Sequence, residues 1–170
     1  MKNLEVDLYT GSVINFLSET LYNKQFYSLT ENLSIEKAKE KVNKISLSAE
    51  KEAYNCESPI ETIMYYLISL VDGVIFSPQV EIGKYKVDFC VRIPIYDSGE
   101  YKDIIIECDG HEFHEKTKEQ AQHDKERDRF LQAEGYPIYR FTGSEIYRNP
   151  LKIYFELCDI IYRIEEGEDE

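Results

Sequence analysis

The sequence predicts a single mixed α/β domain with helices added at both ends, and three observations carry that expectation. The chain has 170 residues, the size of one domain with a core large enough to need no disulfide or metal staples. Its 42% hydrophobic and 13% aromatic content excludes a wholly disordered chain. From residue 58 the apolar spacing changes period repeatedly, in the order helix, strand, strand, strand, helix, strand, helix. The expected organisation is a helical segment over 1–57, a domain over 58–164 and an acidic tail over 165–170.

In the first segment Val13, Ile14, Leu17 and Leu21 fit one helical face, and Ile35, Ala38, Val42 and Ile45 fit another. Ser34 can cap the second helix, but Lys37 stands where a capping box wants Glu, and no catalytic motif occurs here. A packing or lid segment is the expectation. Ser58-Pro59-Ile60-Glu61 is a full helix start, with Ser as N-cap, Pro at N1 and Glu at N3. Ile60, Met64, Leu67, Ile68 and Val71 continue it as an apolar stripe that Asp72-Gly73 ends. Phe76–Ile82 and Tyr85–Ile93 read as a hairpin turning at Gly83-Lys84. Lys102–Cys108 is apolar and β-branched, as a buried central strand is. A long polar helix follows from about Glu115 to Glu134, closed by Gly135. Pro137–Phe141 reads as a strand, Thr142–Glu145 as a turn, and Ile153, Tyr154, Leu157, Ile160 and Ile161 as one face of a last helix from about Pro150.

Charge is lopsided, with 20 Lys and Arg against 33 Asp and Glu, a net of −13. That argues against coating nucleic acid by bulk charge and against a polybasic membrane binder. The distribution is uneven: residues 56–110 hold ten acids against four bases, whereas 111–140 hold seven against six, and the tail adds five more acids. The middle stretch is therefore where clustered carboxylates are expected. Cys56, Cys90, Cys108 and Cys158 form no CxxC pair, Met1–Asp7 lacks the apolar core of a signal peptide, and no run approaches a membrane span. A cytoplasmic protein with reduced thiols is expected.

Asp88 and Glu107 each interrupt an apolar strand. A lone carboxylate on a buried strand is costly unless it is paired, protonated or bound to a cation. Strict alternation puts Lys86, Asp88 and Cys90 on one face of their strand, opposite Val87, Phe89 and Val91, and puts Ile105, Glu107 and Asp109 on one face of the next. Carboxylates facing each other across adjacent strands repel, and a divalent ion relieves that cost. Mg²⁺ takes hard oxygen ligands, polarises a phosphodiester and supplies hydroxide. The plainer accounts are a solvated strand-end residue for Asp88 and an Asp-Gly turn for Asp109. For Glu61, capping and metal contact stand side by side.

Tyr85-Lys86-Val87-Asp88-Phe89, the stretch from Glu107 to His114, and Asp124–Leu131 with Gly135–Phe141 together resemble the PD-(D/E)XK nuclease superfamily. Within it they resemble the branch of very-short-patch-repair endonucleases and their uncharacterised bacterial relatives. The resemblance covers about Ser58 to Arg148 and implies a restriction-endonuclease-like core. It implies that Asp88 and Glu107 are the metal-binding acids, that Glu61 is the additional acid on the preceding helix, and that His114 is a downstream site histidine. The position two after Glu107, where the superfamily usually carries Lys, is Asp109. Lys86, Lys116 and Gln120 are the candidates for the missing role.

Zinc on Cys108, His111 and His114 is a weaker reading, because a fourth ligand is not evident beyond His123 or Cys158. On the polar helix Gln120, Asp124, Arg127 and Asp128 sit at three- and four-residue spacing, so ion pairing competes with approach of Gln120, Arg127 and Arg140 to the site or a phosphate. Arg127 is the first choice for DNA contact. The expected function is an Mg²⁺- or Mn²⁺-dependent endonuclease acting on DNA phosphodiesters, at mismatched or branched DNA, with a protein partner left open. The alternative is a non-catalytic nuclease-fold interaction protein or acidic DNA mimic.

Overall fold

A computed structural model of the chain describes residues 55–96, 98–110 and 118–167. The helices expected around Val13–Leu21 and Ser34–Ile45 lie outside the described residues. The chain divides into two compact units, Met1–Leu70 and Val71–Glu170.

In the first unit helix α1 spans Pro59–Ser69, starting where the sequence puts it. Ser58 is extended (φ −137°, ψ 159°) and its hydroxyl accepts the Glu61 N–H at 3.3 Å. The Glu61 carboxylate does not reach back to the cap residue's own N–H. It accepts from the Ser58 hydroxyl (2.6 Å) and from the Glu57 N–H (2.8 Å), one bond on each oxygen. Every residue from Ile60 to Ile68 is buried, so the helix is enclosed on all sides rather than along the single stripe expected.

The second unit is built on a four-stranded sheet of β1 (Ile75–Ile82), β2 (Tyr85–Pro94), β3 (Tyr101–Asp109) and β4 (Ile138–Thr142), in that order across the sheet. The first three strands are antiparallel and β4 runs parallel to β3. A parallel neighbour needs a crossover, and helix α2 (Lys118–Ala133) supplies it. Gly135, at φ 88°, ends that chain segment as the expected left-handed residue after a helix. The start expected for this helix near Glu115 lies outside the described residues. Ile104, Ile105 and Ile106 are all fully buried, which is why β3 reads as an unbroken apolar run.

Gly83 takes φ 60° at the first position of the two-residue turn between β1 and β2, the pattern of a II′ hairpin. The turn lies against Phe130 of α2: a Cβ at Gly83 would come 2.7 Å from Phe130 Cζ. Gly83→Ala therefore meets both an unfavourable backbone and a ring that must move. It is expected to cost about 1–3 kcal/mol, read as a lower urea midpoint at unchanged slope. An unaltered midpoint would mean that the turn relaxes freely.

One core of this unit is Val87, Ile105 and Leu131, with Val80, Ile82, Phe130, Tyr136 and Ile138 packed around them. Tyr85 joins the same side, its ring 5.4 Å from Phe130 and 5.7 Å from His123. Phe89 lies on the opposite face, in register with Ile106 and 6.4 Å from the ring of Phe76. The strict alternation expected along β2, with Val87 and Phe89 on one face, therefore fails. Its phase changes at Asp88. The β1–β2 ladder skips a pair at the same level, between Pro78↔Phe89 and Val80↔Val87, and the skipped residue, Gln79, has φ 54°. A positive φ turns the adjoining peptide over, so the residues on either side of the kink present opposite faces.

Two further differences follow from capping chemistry. Thr142–Glu145 is the start of a short helix, α3 (Gly143–Arg148), and not a turn. The Thr142 hydroxyl and the Glu145 carboxylate form a complete capping box there. Helix α4 (Pro150–Glu165) begins at once, with Asn149 as its N-cap, and packs against β2. It takes in Glu165, which the acidic tail was expected to include. That residue is buried and its carbonyl accepts the Tyr96 N–H at 2.8 Å. All four cysteines are thiols, and among the described residues no helix is long and apolar enough to cross a membrane.

Candidate active site

The β2–β3 ladder ends at Phe89↔Ile106, one step short of the two acids. The next backbone donor on β3, the Cys108 N–H, is satisfied at 2.8 Å by Asp88 Oδ2. Asp88 thus carries the pairing on with its side chain, which holds its carboxylate at the end of β3 beside Glu107.

Glu107 is 6% exposed, the deepest carboxylate of the sheet. Burial raises its pKa most, the neighbouring Asp88 charge raises it further, and Arg127 and Arg140 offset only part of this, leaving it at about 7. Arg127 comes from α2. One of its terminal nitrogens donates to Glu107 Oε1 (2.5 Å) and to the Lys86 carbonyl (2.9 Å). Its side chain is 13% exposed, so the guanidinium is enclosed with its partner. On β4, Arg140 is in register with Glu107. It donates to Asp109 Oδ1 (3.2 Å) and to Asp128 Oδ1 of α2 (2.6 Å), so one guanidinium ties β3, β4 and α2 together. Four carboxylates, on Asp88, Glu107, Asp109 and Asp128, are therefore answered by two guanidiniums.

Asp88, Glu107, Asp109 and Arg127 are thus brought to one place. Lys86 is not. It alternates away from Tyr85 and Val87, hence away from the face where Arg127 meets Glu107, and it is exposed; its carbonyl, not its ammonium, joins the site. Gln120 lies exposed at the start of α2, about two turns before Arg127. Glu61 belongs to the first unit and spends both oxygens on its helix start. His111, His114 and Lys116 lie outside the described residues. Among the described residues no three His, Cys, Asp or Glu side chains are gathered as a metal site, and the zinc reading on Cys108, His111 and His114 turns on two histidines outside the described residues. The expectations did not include the Arg140–Asp128 brace. Its only signal is the i,i+4-like charge spacing on α2, which does not reveal a partner on another strand.

A mixed four-stranded sheet flanked by helices, with acids at the ends of its inner strands, is compatible with a restriction-endonuclease-like fold. The chain belongs to the REase_MTES_1575 family, a restriction-endonuclease-like family of nuclease type whose pattern matches residues 61–161. It is also similar to an uncharacterised protein of Haemophilus influenzae, 40% identical over 77 residues, which make up 45% of this chain and 41% of the relative. The chain thus spans about two-fifths of the length of that relative. No solved structure matches it.

Proposed function

We propose that the chain is a divalent-metal-dependent endonuclease that hydrolyses DNA phosphodiester bonds, with a site of the PD-(D/E)XK type close to that of very-short-patch-repair endonucleases. The observation that carries this reading is Glu107, a buried carboxyl with a pKa of about 7 held beside Asp88 at the end of the central strands. A structural acid would gain nothing from that company. A metal-binding acid gains a ligand pair.

The donor set fits Mg²⁺ or Mn²⁺ in one respect that matters. Mg²⁺ is usually held by one or two carboxylates and completes its shell with water and substrate phosphate, so a pair suffices where no cluster of three is gathered among the described residues. Asp88 and Glu107 would hold the ion. When bound, the ion supplies Lewis acidity toward the phosphodiester and a more acidic water. The protein's own part is positional. Asp88 is fixed by the Cys108 N–H, Glu107 by Arg127, and Asp109 by Arg140, so each acid is oriented before substrate arrives. Asp109 stands where the superfamily's Lys is usual and assists at the site. His114 orients water or stabilises charge, and Gln120 and Lys86 serve the DNA backbone at the margin. The overall charge of −13 implies weak, salt-sensitive binding, which favours mismatched or branched DNA over uniform duplex.

The test is incubation of the full chain with supercoiled plasmid, mismatched duplex and branched DNA, with Mg²⁺ or Mn²⁺. Nicking that EDTA stops is the expected result. No cleavage of any of the three, with calorimetry silent at millimolar metal, would leave a non-catalytic protein on a nuclease fold.

A further inference from the structure

We propose that Arg127 is a built-in counter-cation that competes with the divalent ion for Glu107, and that metal loading releases its guanidinium toward the substrate phosphate. The inference rests on the reading of Asp88 and Glu107 as the metal-binding pair and adds what controls their loading. Three observations carry it. The guanidinium sits directly on Glu107 Oε1 at 2.5 Å, the group an incoming ion must take. The same nitrogen also donates to the Lys86 carbonyl at 2.9 Å, one residue before Asp88, so Arg127 spans the strands that bear both acids. Its nearest other acid, Asp128, lies 4.0 Å from Nη1 and is itself bound by Arg140 at 2.6 Å. Arg127 is therefore held by Glu107 and by a neutral carbonyl. It is not locked into the Asp109–Arg140–Asp128 brace, which can keep α2 attached to the sheet while Arg127 moves.

A cation that neutralises a buried acid and a divalent ion that binds the same acid repel each other and compete for its charge. The guanidinium set loose is planar, permanently charged and suited to paired phosphate oxygens, a role the absent Lys leaves open. Arg127 is thus a positioning residue in the metal-free protein.

The experiment is calorimetric titration of Mg²⁺ into the full-length wild type, Arg127→Gln and Arg127→Lys at pH 8.5, each first shown to be folded by circular dichroism. Competition predicts that Arg127→Gln binds Mg²⁺ more tightly, by ~5- to 100-fold for a coupling of ordinary size. Arg127→Lys, which keeps the charge and loses the fork, should fall between the two. A purely structural arginine predicts the reverse order, because loosening the site weakens its affinity. Equal or weaker binding in both variants, with wild-type binding intact, overturns the role of Arg127 alone. Absence of Mg²⁺ binding in all three proteins overturns the metal-binding pair with it.

Discussion

Glu107→Gln and Asp88→Asn are each expected to reduce metal-dependent cleavage by ~100- to 1000-fold, the usual cost of removing one oriented charge from a reacting centre. The amides are the informative variants. Asp88→Ala would also remove the acceptor of the Cys108 N–H. A buried donor left unsatisfied costs about 1–3 kcal/mol, so lost activity could then be lost structure. Asn keeps an acceptor oxygen and deletes only the charge. Gln at position 107 likewise keeps an oxygen for Arg127 while losing the carboxylate. Single-turnover nicking of plasmid measures the effect, with thermal melting as the check that each variant is folded. Cleavage retained within a few-fold in either variant would remove that acid from the reaction.

The second expectation concerns pH. In the folded chain Glu107 titrates at about 7, against an ordinary 4.5. Below the ordinary value it is protonated in both states. Between the two values the unfolded chain loses its proton while the folded one keeps it, so stability falls as pH rises, and the loss is complete above about 7. The size is about 3 kcal/mol between pH 4.5 and 8. Glu107→Gln lacks this titration. The difference in unfolding free energy between Gln and wild type should therefore move in favour of Gln across that window, while the other carboxylates, common to both, cancel. Urea unfolding at pH 4.5, 6 and 8 measures it. A difference that stays flat, or moves in favour of wild type, would contradict a raised Glu107. In metal-free solution the same titration keeps part of the protein protonated at neutral pH, so cleavage should rise with pH through about 7 as the proton ceases to compete.

Local chemistry was legible in the sequence. The start of α1, the hairpin turn at Gly83, the burial of Glu107 and the C-terminal end of the long helix all depend on residues close together in the chain. What failed depended on regularity or distance. Alternation along β2 assumes an unbroken strand, and nothing about Gln79 announces a positive φ, so Val87 was placed on the wrong face and Lys86 too near the acids. The pairing of Arg127 with Glu107 and of Arg140 with Asp109 and Asp128 crosses strands, and the β3–β4 register is set after a crossover whose length does not fix it. Helix α3 was a different case. Thr142-Gly143-Ser144-Glu145 has the spacing of a capping box, but Gly143 and Ser144 weigh toward a turn, and the box outweighs them. Asp88 and Glu107 lie on β2 and β3; the resemblance did not show that each already has a protein partner.

The positive φ at Gln79 has an effect on the outer side of the sheet. Among the described residues β1 is an edge strand, and an edge normally offers a row of donors and acceptors to any passing strand. Here Pro78 brings no N–H to that row, and the next residue, Gln79, turns its peptide out of line at φ 54°. The row is interrupted near its middle, so a second chain cannot zip along β1 and lengthen the sheet. That interruption guards the protein against edge-to-edge aggregation.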